Sequence, residues 1–99
     1  MYNVRMAFVW DTLKAAANLQ KHGVSFEEAQ SVFRDPLAVI IDDPIHFQQE
    51  PREIIIGHSD RGRLLLVCFT ERRPDDLRLI SAREPTKQER KKYEHNAAP

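Results

Sequence analysis

One cysteine in 99 residues rules out an intrachain disulfide, and Cys68, set inside LLLVCFT, reads as a small core residue rather than a nucleophile. No apolar run approaches the roughly 20 residues that cross a bilayer. No apolar stretch of signal-peptide length precedes Asp11, so no membrane role and a cytoplasmic location are expected. Glycine is scarce too: the three present are each assigned to turns, which leaves no glycine-rich phosphate loop. Metal-ligand spacings such as H-x-x-x-H or C-x-x-C are missing. Asp42, Asp43 and His46 could meet in a loop, but His22, His46, His58 and His95 are scattered, and no metal or other cofactor is expected. An excess of one charge is the last absence. Fifteen Lys and Arg balance fifteen Asp and Glu, which argues against a dedicated nucleic-acid binder.

What is present suits one soluble domain covering residues 1–99, since 41% hydrophobic residues suffice for a modest core at this length. The charges are also unevenly spread. Residues 1–50 hold four basic and seven acidic groups, and residues 51–99 hold eleven and eight. Ten of the fifteen basic residues are Arg, the side chain suited to bidentate phosphate contact, so the composition allows, without demanding, an anionic site in the second half.

RMAFVW (5–10) is short, apolar and β-prone. Asp11 can cap a helix through KAAANLQKH, with Leu13, Ala16, Ala17 and Gln20 as its core-facing stripe and Gly23 as its left-handed end. Ser25 and Glu28 have capping-box spacing for a second helix that buries Phe26, Ala29, Gln30 and Phe33 and stops before Pro36. LAVIID (37–42) reads as a strand covered on both faces, followed by a polar loop, DPIHFQQEP. REIIIGHS, DRG and RLLLVCFTER form a hairpin with positive φ at Gly62. RRPDD is a turn, DLRLISAR a further strand, and TKQERKKYEH a charged final helix. The order β-α-α-β-β-β-β-α defines an α+β domain, with a mostly antiparallel sheet and helices packed on one side.

Several segments together carry a family likeness: FVWDTLKAAANLQKHGVSFEEAQSVFRDP, then LLVCFTER, then RLISAREPTKQERKKYE. From Phe8 to Glu94 the chain resembles the BrnT family, the ribonuclease toxins of type II toxin–antitoxin pairs. The resemblance implies a RelE-like fold, an RNA substrate, and a BrnA-type antitoxin with a ribbon-helix-helix DNA-binding domain as partner. It also implies RNA cleavage without a metal, in which arginine, lysine and tyrosine side chains assist attack by the 2′-OH.

Such chemistry needs a base, a cation for the phosphorane charge, and an acid for the leaving oxygen. The catalytic candidates are Arg52, Glu71, Arg72, Arg83 and Tyr93. Arg83, the arginine of ISAR, is either a phosphate clamp or a salt-bridge partner of Glu50, Glu71 or Glu89. Glu50-x-Arg52 and Glu71-Arg72 either supply acid/base and phosphate roles or stabilise neighbouring strands. Tyr93 donates a proton, stacks on a base, or anchors the last helix. The RNA-binding candidates are Lys14, Lys21, His22, Arg78 and Arg90, with Asn18 between the two lysines; the alternative for the first helix is a solvated face. Trp10 is read as sealing a core edge. Strict alternation in DLRLISAR puts Arg78 with Ile80 and Ala82 and Arg83 on the other face, unless a bulge intervenes. Zero net charge and Glu84-Pro85, where the family tends to have small or basic residues, support a rival reading: a non-enzymatic antitoxin-binding co-repressor of the same fold.

Overall fold

The computed structural model describes residues 6–42 and 52–97, so Asp43, His46, Glu50 and the 43–51 loop lie outside the described residues. Strand β1 (Ala7–Val9) leads into helix α1 (Thr12–His22), then α2 (Phe26–Ser31), which tightens into a 3-10 turn at Val32–Arg34. Strands β2 (Val39–Asp42), β3 (Glu53–His58), β4 (Leu64–Arg73) and β5 (Asp76–Arg83) follow, and α3 (Lys87–Ala97) comes last. The element order is as the sequence indicates. The sheet runs β1-β5-β4-β3-β2, antiparallel except where β1 lies parallel to β5.

Local grammar accounts for most boundaries. Asp11 caps α1 by accepting from the N–H groups of Leu13 and Lys14 at 2.8 and 3.0 Å. Gly23, at φ 69°, ends α1, and Ser25 Oγ caps α2 by accepting from Glu28 N–H at 3.0 Å. At Arg73–Asp76, Pro74 occupies the second position of the turn and Asp75 takes φ 68°. Gly57 departs from the turn assignment. It sits inside β3 because a Cβ there would come within 2.9 Å of both Ala38 Cβ and Asp35 Oδ2.

The main core joins α2 and the 3-10 turn to one face of the sheet through Phe26, Ala29, Val32, Phe33, Val67 and Phe69. Helix α1 also packs on this side, but with a different stripe from the expected one. Leu13 is 80% exposed and Ala16, Ala17 and Gln20 face solvent, while Ala15, Asn18 and His22 turn inward. The reason lies at the sheet edge. β1 pairs with β5 only as far as Arg78, and further along the same strand the side-chain amide of Asn18 pairs with Ala82. Its Nδ2 donates to Ala82 O at 2.8 Å and to Val24 O at 2.9 Å, and its Oδ1 accepts from Ala82 N–H at 3.0 Å. A buried polar residue thus decides which side of α1 is inside.

Glu28 departs from its capping role in a similar way. Its carboxylate is buried against Ser59 Oγ (2.7 Å), Arg63 Nε (3.0 Å) and Arg63 Nη2 (2.6 Å), which ties α2 to the β3–β4 hairpin. The largest difference concerns α3. Tyr93 packs with Ile56, Leu64 and Leu66, which alternate with the main-core residues Ile55 and Leu65. Two helices therefore cover one face and the third lies across the other. β2 is an edge strand with Ile41 45% exposed, so it is not covered on both faces.

Candidate functional site

The second sheet face owes its character to one extra residue. Along β4 and β5 the pairing runs Thr70↔Arg78 and Phe69↔Leu79, then jumps to Cys68↔Ser81, Val67↔Ala82 and Leu66↔Arg83, leaving Ile80 without an opposite number. This β-bulge resets the alternation. Leu77, Leu79 and Ala82 all enter the main core, so Arg78, Ser81 and Arg83 all project from the opposite face. Arg52 belongs with them. It precedes β3 by one residue, level with Thr70, and shares the face of Ile54 and Ile56 two and four residues on.

At one end of this face Arg83 forms a two-pronged pair with Glu89, Nη1 to Oε1 at 2.8 Å and Nη2 to Oε2 at 3.0 Å. Glu89 also completes a capping box, accepting from Thr86 N–H at 2.9 Å while its own N–H donates to Thr86 Oγ1 at 3.1 Å. The Arg83 guanidinium, opposed by burial, pulls the Glu89 carboxyl down to about 2. Of the partners open to Arg83, the structure selects Glu89. One turn along α3, Tyr93 is only 6% exposed, and burial first, then the charge of Asp35, raises its hydroxyl above the usual tyrosine range. Between α3 and the sheet runs an apolar groove of about 330 Å³ lined by Val39, Ile41, Ile54, Ile56, Leu66 and Tyr93.

At the other end Arg72 and Arg78 share a shallow cleft of about 270 Å³ with Val9, Trp10 and Asp11. Arg72 is loosely held by Asp76 at 3.7 Å, and Arg78 makes no ion pair or side-chain hydrogen bond among the described residues. Trp10 packs edge-on against Phe26, with centroids 5.8 Å apart, and presents its remaining surface to the cleft. Lys14 begins α1 beside Asp11, whose carboxyl is lowered first by the Lys14 and Leu13 N–H groups and less by the charges of Lys14 and Arg78.

The catalytic candidates do not converge on one point. Arg83 and Tyr93 stand at one end, and Arg72 with exposed Glu71 at the other, five residues along β4 or roughly 16 Å away. Lys21 and His22 end α1 on the opposite side of the sheet, and Arg90 is exposed on α3. Asn18 is structural.

Two residues escaped the sequence reading. Asp35, read only as a helix stop, reaches round the sheet edge so that its Oδ2 accepts from His58 N–H at 2.7 Å and lies 3.7 Å from His58 Nδ1. The His58 ring stands 6.0 Å from that of Tyr93. Alternation from Ile54 through Ile56 would have put His58 on this face; nothing local announces Asp35. Among the described residues no cluster of three or more His, Cys, Asp or Glu could hold a metal ion, and no helix is long and apolar enough to cross a membrane.

This is an α+β domain with one closed sheet face and one on which arginines gather. Residues 10–89 match the family model for the ribonuclease toxin BrnT of type II toxin–antitoxin systems, and the chain belongs to that family. The crystal structure of the Brucella abortus ribonuclease toxin BrnT superposes with a TM-score of 0.65 at 23% identity, covering 83% of this chain and 99% of that one. At that identity the likeness speaks to the fold. No curated protein sequence matches the chain.

Proposed function

We propose that this family member is a cytoplasmic endoribonuclease that cuts RNA without a metal ion, by attack of a 2′-OH on the adjacent phosphorus. A BrnA-type ribbon-helix-helix antitoxin would hold it in check. The observation that carries the reading is the Ile80 bulge, which turns Arg78 and Arg83 to one side of the sheet together. Arg72, Arg78 and Lys14 hold the RNA backbone at the cleft, where Trp10 offers a stacking edge. Arg52 extends the same cationic row. Arg83 clamps the scissile phosphate after exchanging Glu89 for it; both ligands fit the guanidinium fork. Tyr93, kept protonated by burial and by Asp35, suits a proton donor. Glu71, Lys21, His22 and Arg90 stand apart and have at most peripheral contact with RNA.

The Arg83–Glu89 pair also favours the second reading, a non-enzymatic antitoxin-binding co-repressor in which Arg83 never releases its carboxylate. Purified protein incubated with RNA in EDTA separates the two. Shortened RNA ending in 2′,3′-cyclic phosphate, with cleavage lost in folded Arg78→Ala and Arg83→Ala variants, supports catalysis. Intact RNA at high protein concentration supports the co-repressor. A co-purifying antitoxin that leaves cleavage unchanged would refute neutralisation by direct contact.

A further inference from the structure

We infer that His58 is the general base of the cleavage reaction, oriented by Asp35 and working with Tyr93 and Arg83 across the α3 end of the sheet. The inference rests on the ribonuclease reading and names the base that reading lacks. Glu89 accepts from Thr86 N–H at 2.9 Å and so stays committed to capping α3 when Arg83 turns to the phosphate. Tyr93, with its raised pKa, keeps its proton. Glu71 lies at the far end of β4, and the Asp11 carboxylate is committed to capping α1. Histidine is the side chain that most often serves as a general base, and among the described histidines only His58 stands beside a carboxylate.

The geometry explains why Asp35 can orient it. One Asp35 oxygen accepts from Leu37 N–H at 2.9 Å and the other from His58 N–H at 2.7 Å, so the carboxylate is fixed before it meets the ring. The absence of a side chain at Gly57 makes this approach possible, because a Cβ there would lie 2.9 Å from Asp35 Oδ2. With Nδ1 turned toward Asp35, Nε2 is left for substrate, and the side chain is 51% exposed. Among the described residues, the titratable groups facing the ring are Asp35, from the turn before β2, and Tyr93, from α3. Tyr93 covers Ile56, Leu64 and Leu66, and Leu66 is paired with Arg83 on its other side. His58 is level with Leu64 and Arg83 with Leu66, so their backbones lie two strand spacings across and two residues along, about 12 Å apart, a gap that a histidine and an arginine can close onto one phosphodiester.

The step balances as follows. Nε2 of His58 takes the 2′-OH proton, O2′ bonds to phosphorus, and the phosphorus–O5′ bond breaks. Tyr93 gives its proton to O5′, while Arg83 neutralises the phosphorane. The imidazolium then returns a proton to the phenolate through water. The products are a 2′,3′-cyclic phosphate and a 5′-hydroxyl.

His58→Gln tests this on the full chain, since a half-exposed strand-end residue can change without emptying a core. With a short RNA oligonucleotide, kcat should fall about 100-fold or more, the scale of general-base catalysis. KM should hold within about threefold, and the acidic limb of the pH–rate profile should disappear. His95→Gln, on an exposed part of α3, serves as the control and keeps the wild-type rate and profile. Wild-type cleavage with His58→Gln equally fast and equally pH-dependent overturns the inference and leaves the ribonuclease reading intact. If the wild-type chain cuts no RNA, both fall.

Discussion

Among the described residues, thirteen on one side of the sheet form a continuous buried core under α1 and α2, and four on the other do so under α3. The polar groups divide in the same way. Asn18 and Glu28 on the first side are enclosed and satisfied by Ala82, Val24, Ser59 and Arg63. On the second side Arg78 stands unpaired among the described residues, and Arg83 meets a partner carried on a helix whose one buried residue, among those described, is Tyr93. A small domain cannot bury both faces fully. This one concentrates its buried residues on the first and carries its arginines on the second.

The sharpest test of that division compares one aromatic from each side. Phe69→Ala should cost about 3–5 kcal/mol in urea unfolding. Tyr93→Ala, from the smaller cluster, should cost less than half as much; equal losses would erase the contrast. Next in size is Asn18→Leu, which leaves Ala82 N–H and O and Val24 O without their partner, for a loss of about 2–3 kcal/mol. A near-neutral result there would mean that the amide does not set the seating of α1.

A smaller effect belongs to acid. Glu89 titrates at about 2 when folded against 4.5 ordinarily, so between those values the folded chain holds fewer protons than the unfolded one. The contribution of the Arg83–Glu89 pair is therefore complete above about 4.5 and is lost as pH falls toward about 2. Melting temperature against pH should decline less steeply over that window in Glu89→Gln. An unchanged slope would show the pair to be energetically idle. Smallest of all, Lys21→Ala should alter stability by less than about 0.5 kcal/mol and leave RNA cleavage within twofold. A large loss of cleavage would move the RNA path to the α1 side.

Element order, both caps, the glycine end of α1, and the hairpin and turn positions were legible in the sequence because each depends on a few adjacent residues. The stripe of α1 was not. Counting apolar residues favours Leu13, Ala16 and Ala17 over Asn18, and only the exposed edge of β5 beyond Arg78 makes an amide worth burying. The fit of Ser25 and Glu28 to a capping box likewise concealed that Glu28 is claimed by Ser59 and Arg63, 31 and 35 residues away.

The candidate site divides along the same line. The arginine-rich second half, the condition that Arg78 and Arg83 share a face only through a bulge, and Glu89 among the possible partners of Arg83 can all be read from the chain. That the bulge forms at Ile80, that α3 crosses to the far face, and that Asp35 meets His58 beside Tyr93 were decided by tertiary structure. Short-range periodicity and capping are properties of neighbouring residues. Which face a side chain finally occupies depends on strand register and on which distant backbone groups still need partners.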